Sequence, residues 1–365
     1  MIRPWSFVKS GSCLFQLYDD GIDSDGLFVS NLEYDLNSEN KAYGRLRESN
    51  GAKYLRFGLG ISIKSLITSV YTKYLVKSPR LSREVIAVKE KDISEIIDLT
   101  EKTKEIVAGT LKVAPEVYTD FSLLLDFLSE SGIDISLLGV EGSLLAGLTN
   151  SESDLDLILY GENNYKKFLD LFHQNKKWPK DVELFLDSEF GKRTIYDARK
   201  HYSPLSQKEM VFHESRRPTG FIKRSGGMRK FSIVGLLDKD DIMRKEAVKT
   251  FSLDKTFRFI GVGTVRGIIS SDQFAPFRPS FYSTNQCVTV SDTIVPQEKI
   301  KNIKYIVDYL GNFYLHCQTN EKFECRASIE EIIINNKSTG EYRLNLNHWD
   351  DHLKNGFYLK TIIDQ

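Results

Sequence analysis

The chain has 365 residues, 41% of them hydrophobic and 27% charged, a composition that excludes disordered and fibrous classes and a length that exceeds one ordinary core. Fifty basic and fifty acidic residues cancel, so any attraction to nucleic acid has to come from a local patch and not from the field of the whole molecule. The four cysteines, Cys13, Cys287, Cys317 and Cys325, form no Cys-x-x-Cys pair and read as small buried residues of a reducing compartment. No apolar run of signal-peptide or membrane-spanning length occurs, so a cytoplasmic protein that does not enter membranes is expected.

Residues 5–35 alternate apolar and polar types around an Asp/Gly-rich stretch from Asp19 to Gly26, which predicts two strands joined by a loop. That acidic stretch lacks the spacing of a calcium loop and is read as solvated. Residues 91–110 place Ile93, Ile96, Ile97, Leu99, Ile106 and Val107 among Glu and Lys, which predicts an amphipathic helix. An accessory α+β domain is expected over 1–115. Residues 116–131 repeat apolar types at helical spacing and end at Gly132, and a strand is expected over Ile133–Val140. Glu141-Gly142-Ser143 then reads as a turn into a helix near Leu144.

Asp154-Leu155-Asp156-Leu157 begins a second strand that closes at Gly161, with both carboxylates on one face. Residues 164–175 are helical in pattern, and Val182-Glu183-Leu184-Phe185 is strand-like. Beyond residue 256 the pattern becomes short β-like runs: 257–262, 264–269, 280–282, 287–290, 313–318, 324–334 and 342–346. A small β-rich domain, with an OB-like barrel as one candidate, is expected over 246–365, and a mixed α/β core over 116–245.

Two halves of the central region point to chemistry. Asp154 and Asp156 form a compact hard-oxygen pair suited to Mg²⁺ or Mn²⁺, and Gly142-Ser143 at a helix start offers backbone N–H groups and a hydroxyl to phosphate. Each half alone is common. Together, in the order strand, Gly-Ser, helix, Asp-x-Asp strand, they resemble the polymerase-β-like nucleotidyltransferase superfamily. The chain is further similar to a family of predicted archaeal nucleotidyltransferases of unknown substrate. The similarity lies in Gly142–Gly147, Ser153–Gly161, His213-Glu214-Ser215-Arg216-Arg217 with Gly220, Phe221-Ile222 and Phe231-Ser232-Ile233, and Gly263–Gly267 with Phe274-Ala275-Pro276. The resemblance implies an α+β protein that transfers a nucleoside monophosphate from NTP to a hydroxyl acceptor such as RNA. It implies Asp154 and Asp156 as catalytic metal ligands, and Gly142 and Ser143 as nucleotide-binding residues.

The superfamily pattern also implies a third carboxylate on a neighbouring strand, and in Lys230-Phe231-Ser232-Ile233-Val234 that position is Ser232. Glu183 and Glu214 are the substitutes considered; without one, the chain is a lapsed enzyme that binds nucleotide or RNA. Residues 190–230 hold eleven Lys or Arg against Asp197, Glu209 and Glu214, an excess of +8 placed to neutralise phosphate, or merely a solvated loop. Arg266, Phe274, Phe277, Arg278, Phe281 and Tyr282 interleave basic and aromatic types as single-strand-binding barrels do, and as β cores also do. His173, His201, His213, His316, His348 and His352 show no metal-ligand spacing.

Overall fold

The structure is a computed structural model describing residues 5–22, 26–37, 45–49, 52–57, 70–174, 178–199, 204–238, 240–251, 255–291, 294–347 and 356–362. It is an α+β protein built on three sheets in chain order. Among the described residues no helix is long and apolar enough to cross a membrane.

The first sheet holds eight antiparallel strands: β1 (Phe7–Ser10), β2 (Cys13–Ile22), β3 (Leu27–Asp35), β4 (Arg45–Ser49), β5 (Ala52–Arg56), β6 (Leu75–Ser78), β7 (Arg83–Lys89) and β8 (Glu95–Ile97). Both faces are buried. Phe7, Leu14, Val29, Tyr34 and Tyr54 join a cluster that continues into the middle of the molecule, while Val8, Phe15, Phe28, Leu32 and Leu55 form a separate cluster behind. The expected hairpin is β2–β3; the backbone of Asp19 and Asp20 lies within β2, and Asp23 and Asp25 lie outside the described residues.

The helix expected over 91–110 is only partly present. Glu95–Ile97 pairs with β1 as β8, because its Ile residues complete a sheet edge, and the helix α1 is confined to Leu99–Val107. Asp98 caps α1 by accepting from the N–H groups of Thr100 and Glu101. Although α1 lies in the first expected interval, it packs on the second sheet, where Leu99 stands so close to Gly139 that a Cβ there would meet it at 2.8 Å.

Helix α2 (Pro115–Glu130) starts on a proline and stops at Gly132, whose φ of +79° lets Ile133 N–H reach back to the Leu128 carbonyl. The following elements are β9 (Leu138–Val140), α3 (Gly142–Leu145), β10 (Leu155–Tyr160), α4 (Glu162–His173), β11 (Val182–Leu184), α5 (Glu189–Arg199), α6 (Gln207–Glu214), β12 (Thr219–Arg224), β13 (Gly227–Leu236) and α7 (Ile242–Phe251). The strand expected over 133–140 is shorter than read, since 135–137 is a 3₁₀ turn. The five strands lie in the order β11-β12-β13-β10-β9, with β10 and β13 parallel and the other pairs antiparallel. Leu155 and Leu157–Tyr160 are all buried, as a central strand covered on both faces requires.

The third sheet comprises β14 (Thr256–Phe274), β15 (Ser280–Ser291), β16 (Ile303–Asp308), β17 (Lys322–Ile334), β18 (Lys337–Asn345) and β19 (Tyr358–Thr361), with a short helix α8 (Gln297–Ile300) before β16. Pairings run β14–β15–β16–β18–β17 and return from β17 to β14, with β16 and β18 parallel. The runs read separately at 257–262 and 264–269 are one long strand, β14, bent at a register shift between Phe259 and Gly261. The run 313–318 is not a strand; it belongs to the turns leading into β17.

Candidate functional site

Asp154 ends the loop entering β10, and Asp156 lies two residues on, so the period of the strand puts both carboxylates on one face. The turn at 141–143 arrives beside them because β9 runs antiparallel to β10, and Glu141 N–H donates to the Asp156 carbonyl at 2.9 Å. Gly142 has φ +61°, and a Cβ on it would stand 3.3 Å from Asp156 Oδ2. A left-handed backbone and a close carboxylate therefore both favour glycine at this position. Ser143 and Asp154 line the same cleft. The structure thus brings all four residues singled out in the sequence, Gly142, Ser143, Asp154 and Asp156, to one place.

The strand that carries Ser232, β13, runs beside β10. Ser232 is the parallel-register partner of Asp156, and its hydroxyl donates to Asp156 Oδ1 at 2.9 Å. Neither suggested substitute reaches this point. Glu183 is on β11, three strands from β10, and faces Lys223 at 3.4 Å. Glu214 is buried against Arg217 at 2.6 Å, on the side facing the third sheet. Among the described residues no three His, Cys, Asp or Glu side chains converge as a ready-made metal cage. A cation here would be held by two carboxylates with the remaining positions left to water or substrate oxygens, the usual manner for Mg²⁺.

The loop before Asp154 is fixed from below. Arg229, almost wholly buried, donates to the carbonyls of Ser153 and Ser151 and to Asp120 Oδ2 on α2, and Arg224 adds a bond to Ser151 O at 3.0 Å. These contacts change the meaning of the basic stretch. Arg224 and Arg229 brace the loop, Arg216 forms a two-pronged pair with Glu321, and Arg217 binds Glu214 and the Gly311 carbonyl. Four of the eleven cations are thus structural; Lys200 and His201 lie outside the described residues.

Charge is crowded around the cleft. Enclosure by the cleft walls and then the neighbouring Asp156 charge push the Asp154 carboxyl up to about 6, against the opposing pull of Lys230, Arg56 and Arg229. Glu33 on β3 is pushed up to about 7, mainly by burial, with Arg56 and a hydrogen bond from Asn31 acting the other way. Burial also raises Glu141, although Arg278 at 3.1 Å and Gln16 hold its carboxylate. Three acids at the cleft are thus raised together, with burial the first cause at each.

The other wall of the cleft was not foreseen from the sequence. Tyr34, Arg47, Tyr54 and Arg56 of the first sheet line this open cleft opposite Ser143, Asp154 and Asp156. Leu14 pairs with Tyr34 and Phe15 with Leu32, so Glu33 is the extra residue of a β-bulge beside the site. The only sequence signal for this wall is the alternation Arg45-Leu46-Arg47 and Tyr54-Leu55-Arg56, about a hundred residues before the carboxylates. In the third sheet, Phe274, Phe277, Phe281 and Tyr282 are buried, and Arg266 and Arg278 pair with Glu324 and Glu141. That pattern therefore builds a core and an interface.

No family model matches the chain, and neither does any solved structure. The uncharacterized protein MJ1086 of Methanocaldococcus jannaschii is 26% identical over 305 residues, which span 82% of this chain and 80% of that protein. A match of that length cannot be confined to the central sheet. The relative is archaeal, and its name assigns it no activity.

Proposed function

We propose that the protein is a metal-dependent nucleotidyltransferase that moves a nucleoside monophosphate from NTP to a hydroxyl acceptor, with RNA as the acceptor class to test first. The observation that carries this reading is the joining of Gly142-Ser143 to the Asp154/Asp156 pair at one cleft, where a Cβ on Gly142 would stand 3.3 Å from Asp156 Oδ2. On this reading the central sheet is a nucleotidyltransferase-type core, and the circuit of β14–β18 is a small OB-like barrel. Asp154 and Asp156 would hold Mg²⁺ or Mn²⁺, which when bound neutralises phosphate oxygens and lowers the pKa of a ligated hydroxyl. Ser143 supplies a hydroxyl to a phosphate, and Ser232 keeps Asp156 oriented through its hydrogen bond. The acids around Asp156 also repel one another, an arrangement that a divalent cation relieves.

The test is incubation with Mg²⁺ or Mn²⁺, each labelled NTP and a pool of small RNAs, beside the Asp154→Asn/Asp156→Asn double variant. Incorporation is expected in the wild type, with loss of both incorporation and metal-dependent NTP binding by about 100-fold or more in the variant, the worth of two charged contacts. Metal-dependent NTP binding that survives in a folded double variant overturns the assignment. A second reading, a binding module that has lost turnover, is favoured by Ser232 opposite Asp156 and by the remoteness of Glu183 and Glu214. It predicts metal-dependent NTP binding with no incorporation into any acceptor.

A further inference from the structure

We infer that the first sheet supplies the phosphate-binding wall of the cleft, with Arg47 and Arg56 gripping the triphosphate of a nucleotide from the side opposite Asp154 and Asp156. The inference rests on the nucleotide-binding reading above and assigns the site's cations to a different part of the chain. Strand register alone puts the residues together. Arg47 pairs with Tyr54 across β4–β5, and Tyr34 pairs with Arg56 across β3–β5, so the four side chains share one sheet face. Tyr54 ties this face to the core, its hydroxyl donating to the Leu148 carbonyl at 3.3 Å just beyond α3. All four line the cleft that also holds the carboxylates.

Three observations make this a binding wall and not a solvated edge. First, a nucleoside triphosphate carries about four negative charges, and a bound divalent cation offsets only two, so the site needs further cations. Of the core's basic stretch, Lys230 acts on Asp154, whereas Arg216, Arg217, Arg224 and Arg229 are tied to protein groups. Among the described residues Arg47 and Arg56 form no side-chain hydrogen bond and no close ion pair. Second, the Tyr34 hydroxyl is buried in this wall with no hydrogen-bond partner, a position that a ligand oxygen or a bound water would satisfy. Tyr34 is only 1% exposed, so it lines the cleft from within the packed wall. Third, Ser143, Asn150 and Ser153 line the same cleft between this wall and the carboxylates, so polar groups face its interior from both sides. The order across the cleft is then carboxylates, divalent cation, phosphate chain, arginines.

The test measures binding of each NTP and of inorganic tripolyphosphate, with and without Mg²⁺, to the full chain by calorimetry. Arg47→Gln and Arg56→Gln are each expected to weaken NTP binding by about tenfold, and the pair by roughly a hundredfold, with tripolyphosphate weakened by the same factors. Tyr34→Phe, which conserves volume and fold, is expected to cost about three- to tenfold. Lys208→Gln, an exposed cation of the core's basic stretch, is the control and should leave affinity within about twofold. If the wild type binds NTP, the Asp154→Asn/Asp156→Asn variant does not, and the arginine and Tyr34 variants bind as the wild type does, this inference falls while the proposed function stands. If the wild type binds no NTP under any condition, the proposed function falls and takes this inference with it. If the variants weaken NTP but leave tripolyphosphate unchanged, the wall contacts the nucleoside and the phosphate assignment is wrong.

Discussion

The central sheet meets its two neighbours in opposite ways. Toward the third sheet the contact is closed: Arg216 grips Glu321, Arg217 lies on the Tyr314 ring at 4.0 Å, and His213 stacks on His316 with ring centroids 4.4 Å apart. Toward the first sheet a shared apolar cluster and hydrogen bonds from Gln16 to Glu141 and from Tyr54 to Leu148 hold part of the contact, and the surfaces part at the cleft. Glu141 touches both sides, since Arg278 also reaches it. The closed interface uses up its charges in pairs, whereas the open one keeps arginines and carboxylates apart, and only separated charges are available to a ligand. Similar residue types therefore act as a fastening on one side and stay open on the other, where the binding surface is proposed.

The largest effect expected is from breaking the fastening. Glu214 and Arg217 are 2% and 6% exposed and paired at 2.6 Å, so Glu214→Ala leaves a buried guanidinium without its counter-charge. The expected loss is about 3–5 kcal/mol of unfolding free energy, read by chemical denaturation. Nucleotide affinity of the folded fraction should not change, because Glu214 lies on the side away from the cleft. A loss of affinity without a loss of stability would contradict the division between the two faces.

The same interface should be sensitive to acid. Burial and the nearby Arg216 push His213 down to about 4, against weaker opposing effects from its bond to the His316 carbonyl and from Glu209 and Glu321. Its folded value lies below the unfolded value near 6.5, so the unfolded chain takes up the proton first as pH falls. Stability from this group is complete above about 6.5 and is lost at roughly 1 kcal/mol per pH unit between 6.5 and 4. Melting temperatures of the wild type and His213→Asn should converge as pH drops through that window; parallel curves would refute the assignment.

The open face has the reverse sign. Asp154 is raised to about 6, so the folded protein holds a proton that the unfolded chain releases near 3.8. Ionising Asp154 opposes folding between about 3.8 and 6, and that opposition is fully present above 6. Asp154→Asn should therefore raise the melting temperature at pH 7.5 and leave it unchanged at pH 3.5. Metal binding displaces the proton, so metal-dependent nucleotide affinity should rise about tenfold per pH unit up to about 6 and then level off. An affinity that is flat from pH 5 to 7 would remove Asp154 from the metal site.

How far the sequence could be read follows from the range of each signal. Gly142, Ser143, Asp154 and Asp156 lie within fifteen residues, and period-two alternation with a Gly turn is a local pattern, so their meeting was legible. Ser232 was singled out only through the superfamily resemblance, and its register with Asp156 is a finding of the structure. The arginine–tyrosine wall was not, since it depends on how the first sheet docks, and docking leaves no periodic trace in Arg47 or Arg56. The basic stretch misled for a related reason: a run of cations looks the same in sequence whether Arg229 faces phosphate or a buried Asp120. The helix read over 91–110 failed at its first half, where Ile96 and Ile97 suit a sheet edge as well as a helix face.

The smallest expected effect tests whether the open face lacks one ligand. Ser232 donates to Asp156 Oδ1, and Ser232→Asp replaces that donor with a second negative charge on the adjoining strand. In the metal-free protein this should cost about 1–3 kcal/mol of stability, the lost hydrogen bond plus like-charge repulsion. Because the new carboxylate stands in register with Asp156, added Mn²⁺ or Mg²⁺ should restore more stability to this variant than it gives the wild type. Rescue together with new nucleotide transfer would favour an enzyme that lapsed at this position; rescue without transfer would favour a site whose role ends at binding. Destabilisation that no divalent cation relieves would show that Asp156 does not face a metal, which would break the contrast between the fastened and the open face where it matters most.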